Sequence, residues 1–206
     1  MPDPAHRTGG ESETTSARTI HFVGVDPGLR CLGWGVVAAV GGALTLVDAG
    51  TVRPDPTLTM ERRLADLYAG LEAVVHRYHP QAASVEAVFH SRNAASAIKL
   101  GQARGAALLA LAHGGVETFE YAPRAVKLSV VGHGDASKEQ VAFMVGRILA
   151  DATERSRDAT DALAMAICHA HSVGSVAAGA DVRANRTSWR RMTAEDARRL
   201  SKRSGA

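Results

Sequence analysis

The sequence predicts an α/β domain on a mixed five-stranded central sheet flanked by helices on both faces. Three observations lead there: three apolar runs parted only by Gly-rich breaks, two later short apolar runs set apart by helix-length segments, and stretches dense in Ala and Leu with helical periodicity. Short breaks suit antiparallel hairpins, whereas helix-length crossovers join parallel strands, so a chain with both builds a mixed sheet. At 206 residues it is long enough for one domain with a substantial core and too short for two ordinary ones.

The first 18 residues are rich in Gly, Ser, Thr and Glu, cannot offset their ordering entropy, and are expected to form a disordered leader. Strands are then expected at 20–26, 32–40 and 43–52, with breaks at Pro27-Gly28 and Gly41-Gly42. From Thr57 to Tyr78, Leu58, Leu64, Leu67, Leu71, Val74 and Val75 lie on one helical stripe, which His79-Pro80 ends. A strand at 82–86, a helix at 93–113, a strand at 116–120, helices at 123–129 and 137–150, and a last helix at 158–172 complete a domain spanning 19–173. The remainder, 174–206, is expected to be a disordered basic tail: from Ala180 onward eight Arg or Lys stand against three acids, although the whole chain carries only +3. Such a tail is either a sequence-independent contact for nucleic-acid phosphate or a solvated end without a partner.

No apolar run reaches the roughly 18 residues needed to span a bilayer, and Met1-Pro2-Asp3-Pro4-Ala5-His6-Arg7 lacks the apolar stretch of a secretion signal. The expectation is a soluble, cytoplasmic protein with no membrane contact. Cys31 and Cys168 form no CxxC pair, so neither a disulfide framework nor a zinc site is indicated, and both read as small core residues.

Four carboxylates stand where chemistry can use them. Asp26 ends the first strand, and Pro27-Gly28 turns the chain at once, leaving the carboxylate at the sheet's end; an Asp before Pro-Gly also forms ordinary turns. Ligands gather outside strand C-termini where the winding direction switches, between strands one and four, and Glu86 ends strand four. Asp158 and Asp161, at i and i+3, share a helix face with Cβ atoms about 5–6 Å apart, although first-turn acids also serve the helix dipole. The small apolar run Ala162-Leu163-Ala164-Met165-Ala166-Ile167 packs that helix tightly on the sheet and carries its acidic end toward the strands. Crowded carboxylates resist ionising unless a cation sits among them, so the cluster implies raised pKa values or bound divalent metal.

Six segments, in order, carry a resemblance: Gly24-Val25-Asp26-Pro27-Gly28; Val85-Glu86-Ala87-Val88-Phe89 with Asn93; Lys99-Leu100-Gly101-Gln102-Ala103-Arg104-Gly105; Tyr121-Ala122-Pro123-Arg124-Ala125-Val126-Lys127; Val130-Val131-Gly132-His133-Gly134 with Lys138; and Asp158-Ala159-Thr160-Asp161-Ala162-Leu163-Ala164. Together they resemble the bacterial RuvC family of Holliday junction resolvases over roughly residues 20–172. The resemblance implies an RNase H-like fold and a homodimeric, magnesium-dependent endonuclease. It would nick two strands of a four-way DNA junction symmetrically during recombination and repair, leaving 5′-phosphate and 3′-hydroxyl ends. Asp26, Glu86, Asp158 and Asp161 match the family's acidic quartet and would hold two Mg2+ ions about 3.5–4 Å apart, with Mn2+ able to substitute. Lys127 and Lys138 match lysines near the scissile phosphate, and Phe89 an aromatic used against unpaired bases. Arg92, Lys99 and Arg104 are candidates for further phosphate contacts, and the family also implies RuvA and RuvB branch-migration proteins as partners.

The leader and the basic tail exceed the family core. His133, His169 and His171 are assigned no metal role, and His90 is left unassigned. Two other readings stand beside the resolvase: a nuclease of the same superfamily acting on structured RNA, which should lack the Lys99-to-Gly105 and Val130-to-Gly134 segments, and a non-catalytic junction-binding module. An actin-like ATPase also opens with a strand, Asp and Gly, but this chain is too short for its two lobes.

Overall fold

The computed structural model describes residues 19–87 and 93–177. Strands β1 (Ile20–Asp26), β2 (Leu32–Val40) and β3 (Ala43–Val52) form an antiparallel meander, joined between β2 and β3 by Gly41 and Gly42, both at positive φ. Helix α1 (Met60–Tyr78) then crosses over to β4 (Ala82–Glu86), which pairs parallel with β1, and α2 (Ala94–His113) crosses to β5 (Glu117–Tyr121), parallel with β4. The sheet order is β3-β2-β1-β4-β5. Helices α3 (Pro123–Val131), α4 (Lys138–Ile148) and α5 (Arg157–Ala177) complete the described chain.

Alternation along the strands divides the core in two. Val23, Val25, Leu32, Val36, Ala83 and Val85 face α1 and α2, packing on Leu67, Leu71, Ala107 and Leu111. Phe22, Val37 and Ala82 face the other way, onto Val126, Val145, Leu163 and Ile167 of α3, α4 and α5. The mixed sheet covered on both faces is therefore the architecture expected. Among the described residues no helix is long and apolar enough to cross a membrane.

Several expectations shift. Leu58 leaves the α1 stripe: the Asp55 carboxylate accepts hydrogen bonds from the Thr57 N–H at 2.8 Å and hydroxyl at 2.7 Å, holding a turn that keeps Leu58 exposed until Thr59 caps the helix. Helix α4 ends at Ile148 because Ala150 adopts a left-handed conformation at φ 50°. Cys168 is buried as expected, but Cys31 is only half-buried and lies beside Asp158. The leader, Phe89, Arg92 and the tail beyond residue 177 lie outside the described residues.

Candidate active site

Asp26 and Glu86 reach one place by strand parity. Val25 and Val85 pair across the parallel β1 and β4, so the next residue of each strand ends it beside its neighbour. Phe22 and Ala82, with which they alternate in phase, belong to the core layer under α5, so both carboxylates emerge on the α5 face.

Helix α5 then brings the other two acids. It lies almost on the backbone of β1 and β2: a Cβ on Gly24 would collide with the Ala162 carbonyl oxygen, and one on Gly33 with that of Asp158. Since Gly33 pairs with Asp26 across the β1/β2 ladder, this close approach sets the first turn of α5 above the end of β1. Ser156 caps that turn, its hydroxyl accepting from the Ala159 N–H at 3.3 Å and its carbonyl from the Thr160 N–H at 3.0 Å.

The electrostatics report the convergence. Burial first, and then the charges of Glu86, Asp161 and Asp158, lift the Asp26 carboxyl to about 7, with Lys138 opposing them. Glu86 is raised as well, first by burial and then by Asp161. Two of the acids lean on cations. Lys138 donates to Asp161 Oδ2 at 2.9 Å, a bond that holds its own pKa above the ordinary value, and Arg53 lies 3.7 Å from Asp158 Oδ2. A capping box fixes Lys138 at the first position of α4: the Ser137 hydroxyl accepts from the Gln140 N–H at 3.2 Å, and Gln140 Oε1 from the Ser137 N–H at 2.8 Å.

Among the described residues no three His, Cys, Asp or Glu side chains form a ready-made nest for one ion. The chemistry of the set nevertheless fits a hard divalent cation. All four donors are carboxylate oxygens, and Asp26, lifted by burial and by the three neighbouring acids, sits where a cation would relieve both. A groove of about 890 Å3 runs from Lys138 and Asp161 past Phe143 and Arg147, and of the four acids Asp161 alone lines it.

The remaining sequence candidates are dispersed. Lys99 is exposed on α2, across the sheet from the carboxylates, and Lys127 is half-buried on α3; neither makes an ion pair among the described residues. Arg104 pairs with Glu120 at 2.8 Å and donates to the Glu86 carbonyl oxygen at 3.4 Å, so its guanidinium has two partners within the protein. His169 is buried between the Phe22 and Phe119 rings, 2.8 Å from the Tyr121 hydroxyl, and burial lowers it to about 4. His171 bonds Ser129 and His133 is exposed. Sequence reasoning passed over Arg53 and Cys31, both beside Asp158. The signal was present for Arg53, because in an antiparallel meander the first and third strands end at the same edge.

Comparison with known proteins places this geometry in context. The model of one protein family, described as crossover junction endodeoxyribonuclease RuvC, matches residues 22–169. A relative of that name from Azorhizobium caulinodans is 48% identical over 158 residues, covering 77% of this chain and 94% of its own length. Another from Rhizobium meliloti is 47% identical over 154 residues, covering 75% and 91%. Among solved structures, Thermus thermophilus RuvC in complex with Holliday junction substrate superposes with a TM-score of 0.73 at 37% identity, covering 76% of this chain and 96% of that one.

Proposed function

The chain belongs to the RuvC family of crossover junction endodeoxyribonucleases, the Holliday junction resolvases, and we propose that Asp26, Glu86, Asp158 and Asp161 form its hydrolytic centre. One observation supports this above the rest: the Asp26 carboxyl, at the end of β1, is lifted to about 7 by burial first and then by the charges of all three other acids, which converge on it. A structural salt-bridge network would balance such charges; this cluster leaves them in excess.

Asp26 and Glu86 would hold divalent cation together with Asp158 and Asp161, and magnesium is the expected ion, with manganese able to replace it. When bound, a pair of such ions supplies the Lewis acidity that phosphodiester hydrolysis needs. Lys138 and Lys127 hold the DNA backbone near the site, Lys99 and Arg92 add phosphate contacts, and Phe89 stacks on a base at the crossover, a contribution of about 1–3 kcal/mol. Residues 19–173 act as the nuclease domain and the basic tail as an added phosphate contact. The products are a 5′-phosphate and a 3′-hydroxyl.

The reading includes a homodimer, since two identical sites match a two-fold symmetric junction. Helix α2 offers the surface: Ile98 and Leu109 are 62% and 50% exposed, and Gly101 and Gly105 between them face open space, so a second helix can approach closely. RuvA and RuvB are the expected branch-migration partners.

Asp26→Asn tests the assignment. It should abolish nicking of a four-way junction in magnesium while leaving junction binding within about twofold of the parent, because Asn preserves shape and removes the charge. Undiminished nicking by this variant would refute the proposed centre.

A further inference from the structure

We propose that Arg104 is a positioning residue that acts on the active site through the backbone of Glu86, not through DNA phosphate. The proposal rests on the reading of Glu86 as a metal-holding carboxylate.

Three observations carry it. Arg104 Nη2 is 2.8 Å from Glu120 Oε1, and its side chain is only 13% exposed while that of Glu120 is 50% exposed. Its Nε donates to the Glu86 carbonyl oxygen at 3.4 Å, the last carbonyl of β4. The approach is also from the wrong side for a phosphate at the carboxylates. Phe119 and Tyr121 pack in the α5 layer, so Glu120 between them points to the α2 face, and Arg104 meets it there.

The consequence is a clamp on the strand end that presents Glu86. On one side the Ala87 N–H bonds the Tyr121 carbonyl at 2.9 Å, continuing the β4/β5 pairing one residue past the strand. From the α2 face the guanidinium takes the neighbouring Glu86 carbonyl while Glu120 holds the guanidinium in place. The arginine's planar fork serves two partners at once, which a lysine's point charge does less well. Fixing this peptide fixes where the Glu86 carboxylate emerges beside Asp26. Groups that orient a metal-holding side chain from behind typically contribute about 10–100-fold in metal affinity or activity.

The test compares the full-length parent with Arg104→Met, Arg104→Lys and Glu120→Gln. Three quantities are measured: affinity for an immobile four-way junction in chelator across a salt series, calorimetric Mn2+ binding to the protein without DNA, and single-turnover nicking. The expectation for Arg104→Met is unchanged junction affinity and salt slope, with Mn2+ affinity and nicking rate each lowered about tenfold. Arg104→Lys should recover part of both losses. Glu120→Gln, which keeps the arginine but loosens its hold, should weaken Mn2+ binding in the same direction by a smaller factor and so tests the proposal even if Arg104→Met folds poorly.

Weakened junction binding with a salt slope smaller by about one, at parental Mn2+ affinity, would make Arg104 a phosphate contact and overturn the proposal. Parental Mn2+ binding in both Arg104→Met and Glu120→Gln would overturn it too. Failure of the resolvase reading looks different, because the parent itself would then fail to nick the junction.

Discussion

Asp26 has an ordinary carboxylate value of 3.8 and is lifted to about 7 by burial first and by Glu86, Asp161 and Asp158 next. The folded protein therefore binds this proton more tightly than the unfolded chain does. Any stability linked to it is fully present below about pH 4 and is lost as pH rises through about 7. Replacing the carboxyl with a neutral isostere removes that loss. In chelator, Asp26→Asn should match the parent near pH 4 and exceed it at pH 8 by about 2 kcal/mol, after discounting for water that reaches a half-buried group, or about 5 °C in Tm. Thermal unfolding across pH checks this, and a variant that is less stable at pH 8 would show that the cluster's repulsion has been misjudged. The quartet was legible in the sequence, because strand ends and helical spacing are local features. The cations beside it were legible only in part. Lys138 came through a resemblance, whereas Arg53 and Cys31 reach Asp158 only once α5 lies across the meander, a contact between residues a hundred positions apart. Arg104 reads in the sequence as a candidate phosphate contact, and its partner Glu120 on the next strand comes into view only in the fold.

Helix α5 is the element on which the site depends, since it supplies two acids and packs along β1 and β2. Its docking requires bare backbone beneath it. A side chain at Gly24 would drive into Ala162 and the following Ala166 N–H, neither of which can yield without moving the helix. Gly24→Val should cost about 3 kcal/mol and lower Tm accordingly, with a larger loss of nicking than of junction binding as Asp158 and Asp161 are displaced. Calorimetry and a nicking assay on the same preparation check both, and a variant of parental stability would mean that the helix does not rest on the strand. The elements themselves were readable from periodicity and Gly/Pro breaks, including all five strands. Their ends were less so, for reasons of detail: the Asp55 turn withholds Leu58 from α1, and the left-handed Ala150 stops α4 early. Hydrophobic stripes do not report side-chain turns that compete with a helix.

For the whole molecule the meander-and-crossover topology explains why one sheet edge gathers the chemistry. β1 and β4 run parallel at the centre, so both end at the same edge, and the helices after β5 return over that face. Helix α2 lies on the other face, with Ala107 and Leu111 packed inward and Ile98, Leu109, Gly101 and Gly105 directed outward, so the surface proposed for a second copy does not obstruct the carboxylates. Ile98→Glu combined with Leu109→Glu should convert a dimer to a monomer in sedimentation and turn paired nicks into slow, single ones; a dimer of unchanged stability would move the interface elsewhere. In the reading proposed above, the four carboxylates at the ends of β1, β4 and the start of α5 make a cation-dependent junction resolvase. That reading is met most directly by incubating the full-length protein with a synthetic immobile four-way junction, with and without magnesium, and mapping both labelled strands. Paired nicks are expected at symmetry-related positions in magnesium and none in chelator, with Asp26→Asn silent in both. Nicking that persists in chelator, or that ignores the junction and cuts linear duplex equally, would contradict the reading.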